Sequence, residues 1–540
     1  MEEYLIFNHL NYPIISVLLL LPLVGALIGL LLQSDRAQLL WGLAVTVATA
    51  LASLPLYTQF DQGTAQYQFV ELRHWLPALG LDYVVGVDGI SVLLVLLTTF
   101  VMPLCVLCSW SYIKERMREF IFILLMIETA MIGVFVSLNT LLFFLFWEAM
   151  LIPMYLMIAV WGGPRKDYAS IKYFLYTFAG SIFFLAAIIA LYVQTGTFFI
   201  PELMAQSYSF TFQAWIFLGC TLAFAVKVPM FPLHTWLPAA HVEAPTAGSV
   251  ILASIMLKMG GYGFLRFCLP IAPQATWYFM PWLIGLSLVS IIVGGYLALG
   301  QTDIKKLIAY SSVGHMGFVT LGIFLLNDQG IKGAMLQMIN HGITTGALFI
   351  LIGIIYERTH SREMSVNRAL GAMMPLYVLF LGIFSLSSFG FPGTNSFVSE
   401  FLVLLAAFSK YPLVGALAII GAILAAAYML RLLQSMVWAD ADGHAHHDDG
   451  HGDADASHGL KDLNLREIGT LSFLTIFVFW IGFYPTPLLD VMDASVTHLI
   501  EQIDAGMIEG AEGGIHHVMS GWSDKAVSFF TSATTPTANF

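Results

Sequence analysis

A chain of 540 residues that is 58% hydrophobic and only 10% charged is no ordinary soluble domain, in which about a quarter of the residues carry charge. Its net charge of −12 lies largely in one loop and the C-terminal tail and says little about partners, but the lack of a basic face or stripe leaves nothing to support nucleic-acid binding. What remains is a polytopic membrane protein folded as one large helical bundle.

The N-terminus, MEEYLIFNHLNYP, has neither a basic region nor a small-residue cleavage site, so no cleaved leader is expected. Cys105, Cys108, Cys220 and Cys268 read as small core residues. They form no cluster of thiolates and imidazoles such as zinc or iron–sulfur sites need.

A crossing helix needs about 20 apolar residues. Fourteen candidates follow in order: 14–32, 39–57, 90–110, 120–137, 139–161, 172–194, 214–236, 246–268, 278–299, 304–325, 332–355, 374–408, 412–438 and 468–491. The expected fold is all-α. The seventh segment holds Pro229 and Pro232, with Pro238 just beyond. Proline removes a backbone donor, so this helix must break. The twelfth is too long for one straight span and contains Phe389-Gly390-Phe391-Pro392-Gly393, so it breaks too.

Backbone that is broken at membrane depth is tolerated only inside protein or beside a wet cavity. Two broken helices five apart predict two five-helix repeats, helices 4–8 and 9–13. An odd repeat length inverts the second, a pattern that marks transport paths. The chain then divides into 1–119 (helices 1–3), 120–268 and 278–438 (the repeats), 439–467 (a loop) and 468–540 (the last helix and tail).

Lysines and arginines of short loops prefer the inner side. With the N-terminus outside, Arg36, Lys114, Arg116, Arg165 and Lys166 fall inside with most of the others. Both termini then face outward. The loop carries ADADGHAHHDDGHGDADASHG; His444, His446, His447 and His451, with His458, are weak metal candidates in a solvated segment.

Charges inside membrane helices are costly and by default functional. Lys227 and Lys258 lie in apolar segments around the first break, and Glu148 sits mid-helix in FFLFWEAMLIPMY. Lys227 is the expected partner of Glu148. At 4 Å such a pair is worth about 4 kcal/mol at an effective dielectric of 20. That is comparable to moving a charge through 100 mV, about 2.3 kcal/mol. Making and breaking this pair is therefore suited to driving a proton.

Lys258 is expected to hold a proton between the two halves. Glu400, eight residues past Pro392, is placed as the terminal acid. His315 and His341 lie on consecutive helices and suit a relay, since imidazole both accepts and donates near neutral pH. Ser311, Ser312 and Asn340 are candidates for holding bridging waters. Glu128 and Lys306 are weaker members; Lys305 and Lys306 read first as inner-face charges. His234, His241 and Glu243 read as loop or entry-path residues.

Four motifs in order, FFLFWEAMLIPMY, VKVPMFPLHTWLPAAHVEAPTAGSVILASIMLKMGGYG, AYSSVGHMGF and FPGTNSFVSEF, resemble the antiporter-like membrane subunits of respiratory complex I over roughly residues 90–435. Glutamate at 400 resembles the M-type branch, where the L-type typically has lysine.

The resemblance implies fourteen helices with inverted repeats and proton translocation driven by quinone reduction elsewhere. It gives Glu148 and Lys227 as the coupling pair, Lys258 as the central lysine, His315 and His341 as connectors and Glu400 as the exit-side acid. It implies no cofactor in this chain, with FMN, iron–sulfur clusters and quinone in partner subunits. The implied partners are L- and N-type antiporter-like subunits, small membrane subunits and lipid, in a bacterial inner membrane with both termini periplasmic. An Mrp-type cation/proton antiporter subunit, or a membrane subunit of a related hydrogenase complex, shares the fold and stays open.

Overall fold

The computed structural model describes residues 4–76, 81–438 and 460–510. His444, His446, His447, His451 and His458 lie outside these. Among the described residues, eleven helices are long and apolar enough to cross a membrane, from Asp35–Thr58 to Leu465–Phe483. Three shorter apolar helices, Ile14–Gly29, Val92–Cys108 and Pro375–Ser388, accompany them. The helices Thr246–Ile271 and Asp328–Thr359 are enclosed by the others, whereas Lys166–Thr195 leaves most of its surface outward.

Both expected breaks are present. The helix Phe210–Lys227 stops before Pro229, and the chain turns through 228–235 before Trp236–Glu243 resumes. Pro229 has no N–H for the carbonyl four residues back. That carbonyl, of Ala225, accepts instead from the Met230 N–H at 2.9 Å, and the Trp236 indole donates to the Val226 carbonyl at 2.8 Å, so the broken end keeps buried partners. Pro375–Ser388 and Asn395–Lys410 form the second broken helix. The turn between them needs Gly390 at φ +70° and Gly393 at φ +92°, a region open mainly to glycine.

Two expectations are corrected. The chain is not purely helical: β1 (Leu5–Phe7) pairs parallel with β2 (Tyr67–Leu76), which pairs antiparallel with β3 (Leu81–Val87). These segments are rich in aromatic and β-branched residues such as Tyr67, Phe69, Val84 and Val85 and favour strands. They are too short to register as membrane spans. The last span also ends at Phe483 rather than 491, because Pro485 and Pro487 follow. A separate helix, Thr486–Gly510, then runs on. It buries Val491, Met492, Val496, Leu499 and Ile503 while Asp490, Asp493, Glu501 and Asp504 stay exposed, the pattern of a surface helix.

Arg266 ties these additions to the bundle. It donates to Asp88 Oδ1 at 2.7 Å, to the Tyr67 hydroxyl at 2.7 Å and to the Tyr262 hydroxyl at 3.1 Å, all buried. The backbone N–H of Gly89, next to Asp88, donates to Ser495 Oγ of the last helix at 3.0 Å.

Candidate functional site: a buried line of titratable groups

The helix Thr246–Ile271 carries Lys258, whose side chain is 0% exposed. Two π-helical turns, Leu252–Met256 and Phe264–Cys268, flank it. Such turns release a carbonyl from the regular ladder and recur at functional sites. Here the Lys258 ammonium donates to the Ala253 carbonyl. It also lies 2.7 Å from Nδ1 of His341. An ammonium has only donors, so this ring nitrogen accepts.

The line continues through the next histidine. The rings of His341 and His315 have centroids 5.7 Å apart, and Nε2 of His341 has no protein partner. His315 Nδ1 lies 3.0 Å from Glu400 Oε1. Its Nε2 faces the Tyr428 hydroxyl at 3.2 Å and Ser388 Oγ at 3.4 Å. Glu400 also accepts from the Gln337 amide at 3.0 Å. Ser399 Oγ donates to the carbonyl oxygen of that amide at 2.5 Å, which fixes its orientation. The second break touches the site: a Cβ on Gly390 would sit 3.1 Å from Glu400 Oε2. Ammonium, two imidazoles and a carboxylate thus form one buried row, and each can gain or lose a proton.

The expected contact between Glu148 and Lys227 is absent: no ion pair within 4.0 Å joins them among the described residues. Lys227 ends its helix, 3% exposed, with its ammonium 5.0 Å above the ring of Trp147. A desolvated cation on an aromatic face gains about 2 kcal/mol, so the ring beside Glu148 helps to hold the charge, while Glu148 and Lys227 still act on each other electrostatically. Trp147 is itself fixed by its indole donating to Ser181 Oγ at 3.0 Å. Glu148 is half-buried at the bundle surface.

Glu128 is wholly buried, and neither carboxyl oxygen has a hydrogen-bond partner. It does not join the row. Of the adjacent lysines, Lys305 is the buried one and donates to the Ala244 carbonyl at 2.6 Å; Lys306 is half-buried. His241 is enclosed, stacked on Phe349 at 4.6 Å, with both ring nitrogens unpartnered. Glu243 takes Arg165 Nε at 3.8 Å. His234 stacks on Phe231 at 5.5 Å. Ser311 and Ser312 turn back to the Ile308 carbonyl. Asn340 instead donates to Ser399 Oγ at 2.9 Å and to the Asn395 carbonyl at 2.7 Å. Among the described residues no group of three or more His, Cys, Asp or Glu side chains is arranged to hold a metal.

Sequence reasoning missed Gln337, Tyr428 and Trp147. Gln337 was findable, since it lies one helical turn before His341 and so shares its face. Tyr428 lies in an apolar helix with nothing beside it to mark it.

The bundle, its two broken helices and the buried row define a class: a polytopic membrane subunit of the ion-translocating kind. Residues 137–425 match the family described as NADH:quinone oxidoreductase/Mrp antiporter, TM, and residues 17–134 match NADH-ubiquinone oxidoreductase chain 4, amino terminus. The chain is 44% identical over 490 residues to NADH-ubiquinone oxidoreductase chain 4 of Arabidopsis thaliana, covering 90% of this chain and 97% of the relative. It is 42% identical over 522 residues to NADH-quinone oxidoreductase subunit M of Rhodobacter capsulatus, covering 93% and 99%.

A chain of respiratory complex I from Thermus thermophilus superposes with a TM-score of 0.79 at 30% identity, over 90% of this chain and 99% of that one. The Mrp complex of Dietzia sp. DQ12-45-1b shares the fold, with a TM-score of 0.77 at 20% identity over 97% of this chain and 60% of that one. The chain belongs to the NADH:quinone oxidoreductase/Mrp antiporter membrane family, within its subunit M/chain 4 branch.

Proposed function

We propose that this chain is a proton-translocating membrane-arm subunit of an NADH:quinone oxidoreductase. The observation that carries the reading is the unbroken burial of Lys258, His341, His315 and Glu400 in one row. In this reading Lys258 holds a proton at the centre of the bundle. His341 and His315 pass it, and Glu400 delivers it beside the second break. Lys227 and Glu148 form the switch: the ammonium resting on Trp147 is one position, and contact with the carboxylate is the other. Glu128 and Lys306 tune the charge around the row.

Fourteen crossings are obtained when the three shorter apolar helices join the eleven long ones, with inverted repeats over 120–268 and 278–438. The chain holds no redox centre; FMN, iron–sulfur clusters and quinone belong to partner subunits. Those partners are L- and N-type antiporter-like subunits and small membrane subunits, in a bacterial inner membrane with both termini outside. Identity of 42–44% to chain 4 and subunit M relatives, against 20% to the Mrp structure, favours this over an antiporter that works without a redox donor.

The test is NADH-driven proton pumping in membrane vesicles, comparing the parent with Lys227→Ala and Glu148→Gln. Both variants should assemble and lose most turnover together with pumping. Unchanged turnover and pumping in both would leave the two residues structural.

A further inference from the structure

Three cavities run in series from one face of the bundle toward the row. The outer one, about 950 Å³, is lined by Trp110 and Ser111, by Arg358, Lys461 and Arg466, and by Glu357, Asp462 and Glu467, so it opens on a face of mixed charge. The middle one, about 10 Å³, is lined by Glu357, Cys108, Thr246 and Gly353. The inner one, about 20 Å³, is lined by Thr246, Gly353, Glu243, Lys305 and Arg362. Glu357 is common to the first two, and Thr246 and Gly353 to the last two. A water needs about 10–15 Å³ of such space. The inner cavity therefore has room for one, the middle is at the limit, and side chains must bridge the passage.

The residues at the passage fit that task. Glu357 is half-buried and accepts from Ser111 Oγ at 2.7 Å; Arg466 donates to the same hydroxyl at 3.0 Å. A Cβ on Gly353 would lie 2.5 Å from both Oγ1 and Cγ2 of Thr246, so only glycine leaves the passage this width. Past the inner cavity, Lys305 reaches the Ala244 carbonyl. Three residues earlier on the chain stands His241, buried with both ring nitrogens unpartnered. Buried polar atoms without a partner are costly, and ordered water is their usual remedy. His241 stacks on Phe349, which lies about 12 Å along the same helix from His341.

We propose that protons enter from this face at Glu357 and cross at Thr246 to Lys305 and His241, which supply the Lys258–His341 row. A merely structural Glu357 would hold Ser111 and Arg466 in place and leave proton uptake untouched. The proposal rests on the proton-translocating reading, and its test separates the two.

The assembled complex in membrane vesicles is compared in four variants, Glu357→Gln, Thr246→Val, Thr246→Ser and Lys258→Ala. Turnover and pumping with NADH are read in H₂O and D₂O. Glu357→Gln and Thr246→Val should lower both several-fold and enlarge the solvent isotope effect, because uptake becomes limiting. Thr246→Ser, which retains a hydroxyl, should recover most of the rate lost in Thr246→Val. Parent-like rates and isotope effects in Glu357→Gln and Thr246→Val, with Lys258→Ala inactive, would overturn the entry route and leave the row standing. If Lys258→Ala is also fully active, the reading beneath it fails as well. Should Glu357→Gln not assemble, the Thr246 pair decides, and equal rates for Val and Ser overturn the route.

Discussion

Nζ of Lys258 stands 2.7 Å from Nδ1 of His341, with both side chains sealed inside the bundle. Because the ammonium can only donate, a neutral His341 must accept at Nδ1 and carry its own proton on Nε2. That nitrogen has no protein partner, and the next ring in the row is His315. The tautomer that binds Lys258 is thus the one able to give a proton onward.

Replacing His341 by leucine removes both the acceptor and the donor. Loss of a positioned proton-transfer group costs on the order of 10²-fold. NADH–quinone turnover in His341→Leu vesicles should fall toward that extent, with the complex still assembled on native gels. Turnover near the parent's would take His341 out of the path.

Tyr428 and Gln337 hold the far end, one on His315 and one on Glu400. Each single hydrogen bond is worth about 1 kcal/mol net. Tyr428→Phe should therefore slow turnover by only a few-fold, since Ser388 remains near His315 Nε2. Gln337→Leu should be more damaging, because it removes both a donor to Glu400 and the acceptor of the Ser399 hydroxyl's shortest hydrogen bond. Initial rates in the same vesicles rank the two.

Trp147 carries the Lys227 charge on its ring face. Trp147→Leu removes about 2 kcal/mol of cation–π attraction and should impair pumping much as Lys227→Ala does. Trp147→Phe keeps a weaker aromatic face and should fall between. Equal pumping in both Trp147 variants would remove the ring from the mechanism.

Arg266 is a stability element outside the row. Arg266→Ala leaves Asp88 buried without its partner, a change of the type that costs about 3–5 kcal/mol. The amount of assembled subunit and its melting temperature should drop. Arg266→Lys should rescue only partly, because one ammonium cannot reproduce the guanidinium fork that reaches Asp88, Tyr67 and Tyr262 together.

Much of this is legible in the amino-acid sequence. Proline and glycine clusters announced the breaks at 228–235 and 389–394, because their backbone chemistry acts locally. Lys258, His315, His341 and Glu400 stood out because charge in apolar helices is rare. The strands around Tyr67 and Val85 were hidden by their shortness. Trp147 taking Lys227 was hidden because adjacent residues on a helix point in different directions, and only the packed bundle decides which one faces the lysine. Lys305 and Lys306 look alike in sequence; the helix phase that buries one and not the other is set by tertiary packing.

The central claim is that Lys258 and Glu400 belong to one proton path. Turnover and pumping with NADH should be measured for Lys258→Ala, for Glu400→Gln and for the double variant. Residues that act as a unit are non-additive, so the double variant should be no worse than the more damaged single. A double variant whose losses multiply would mean that the two residues act independently, and the row from Lys258 to Glu400 would not be a single path.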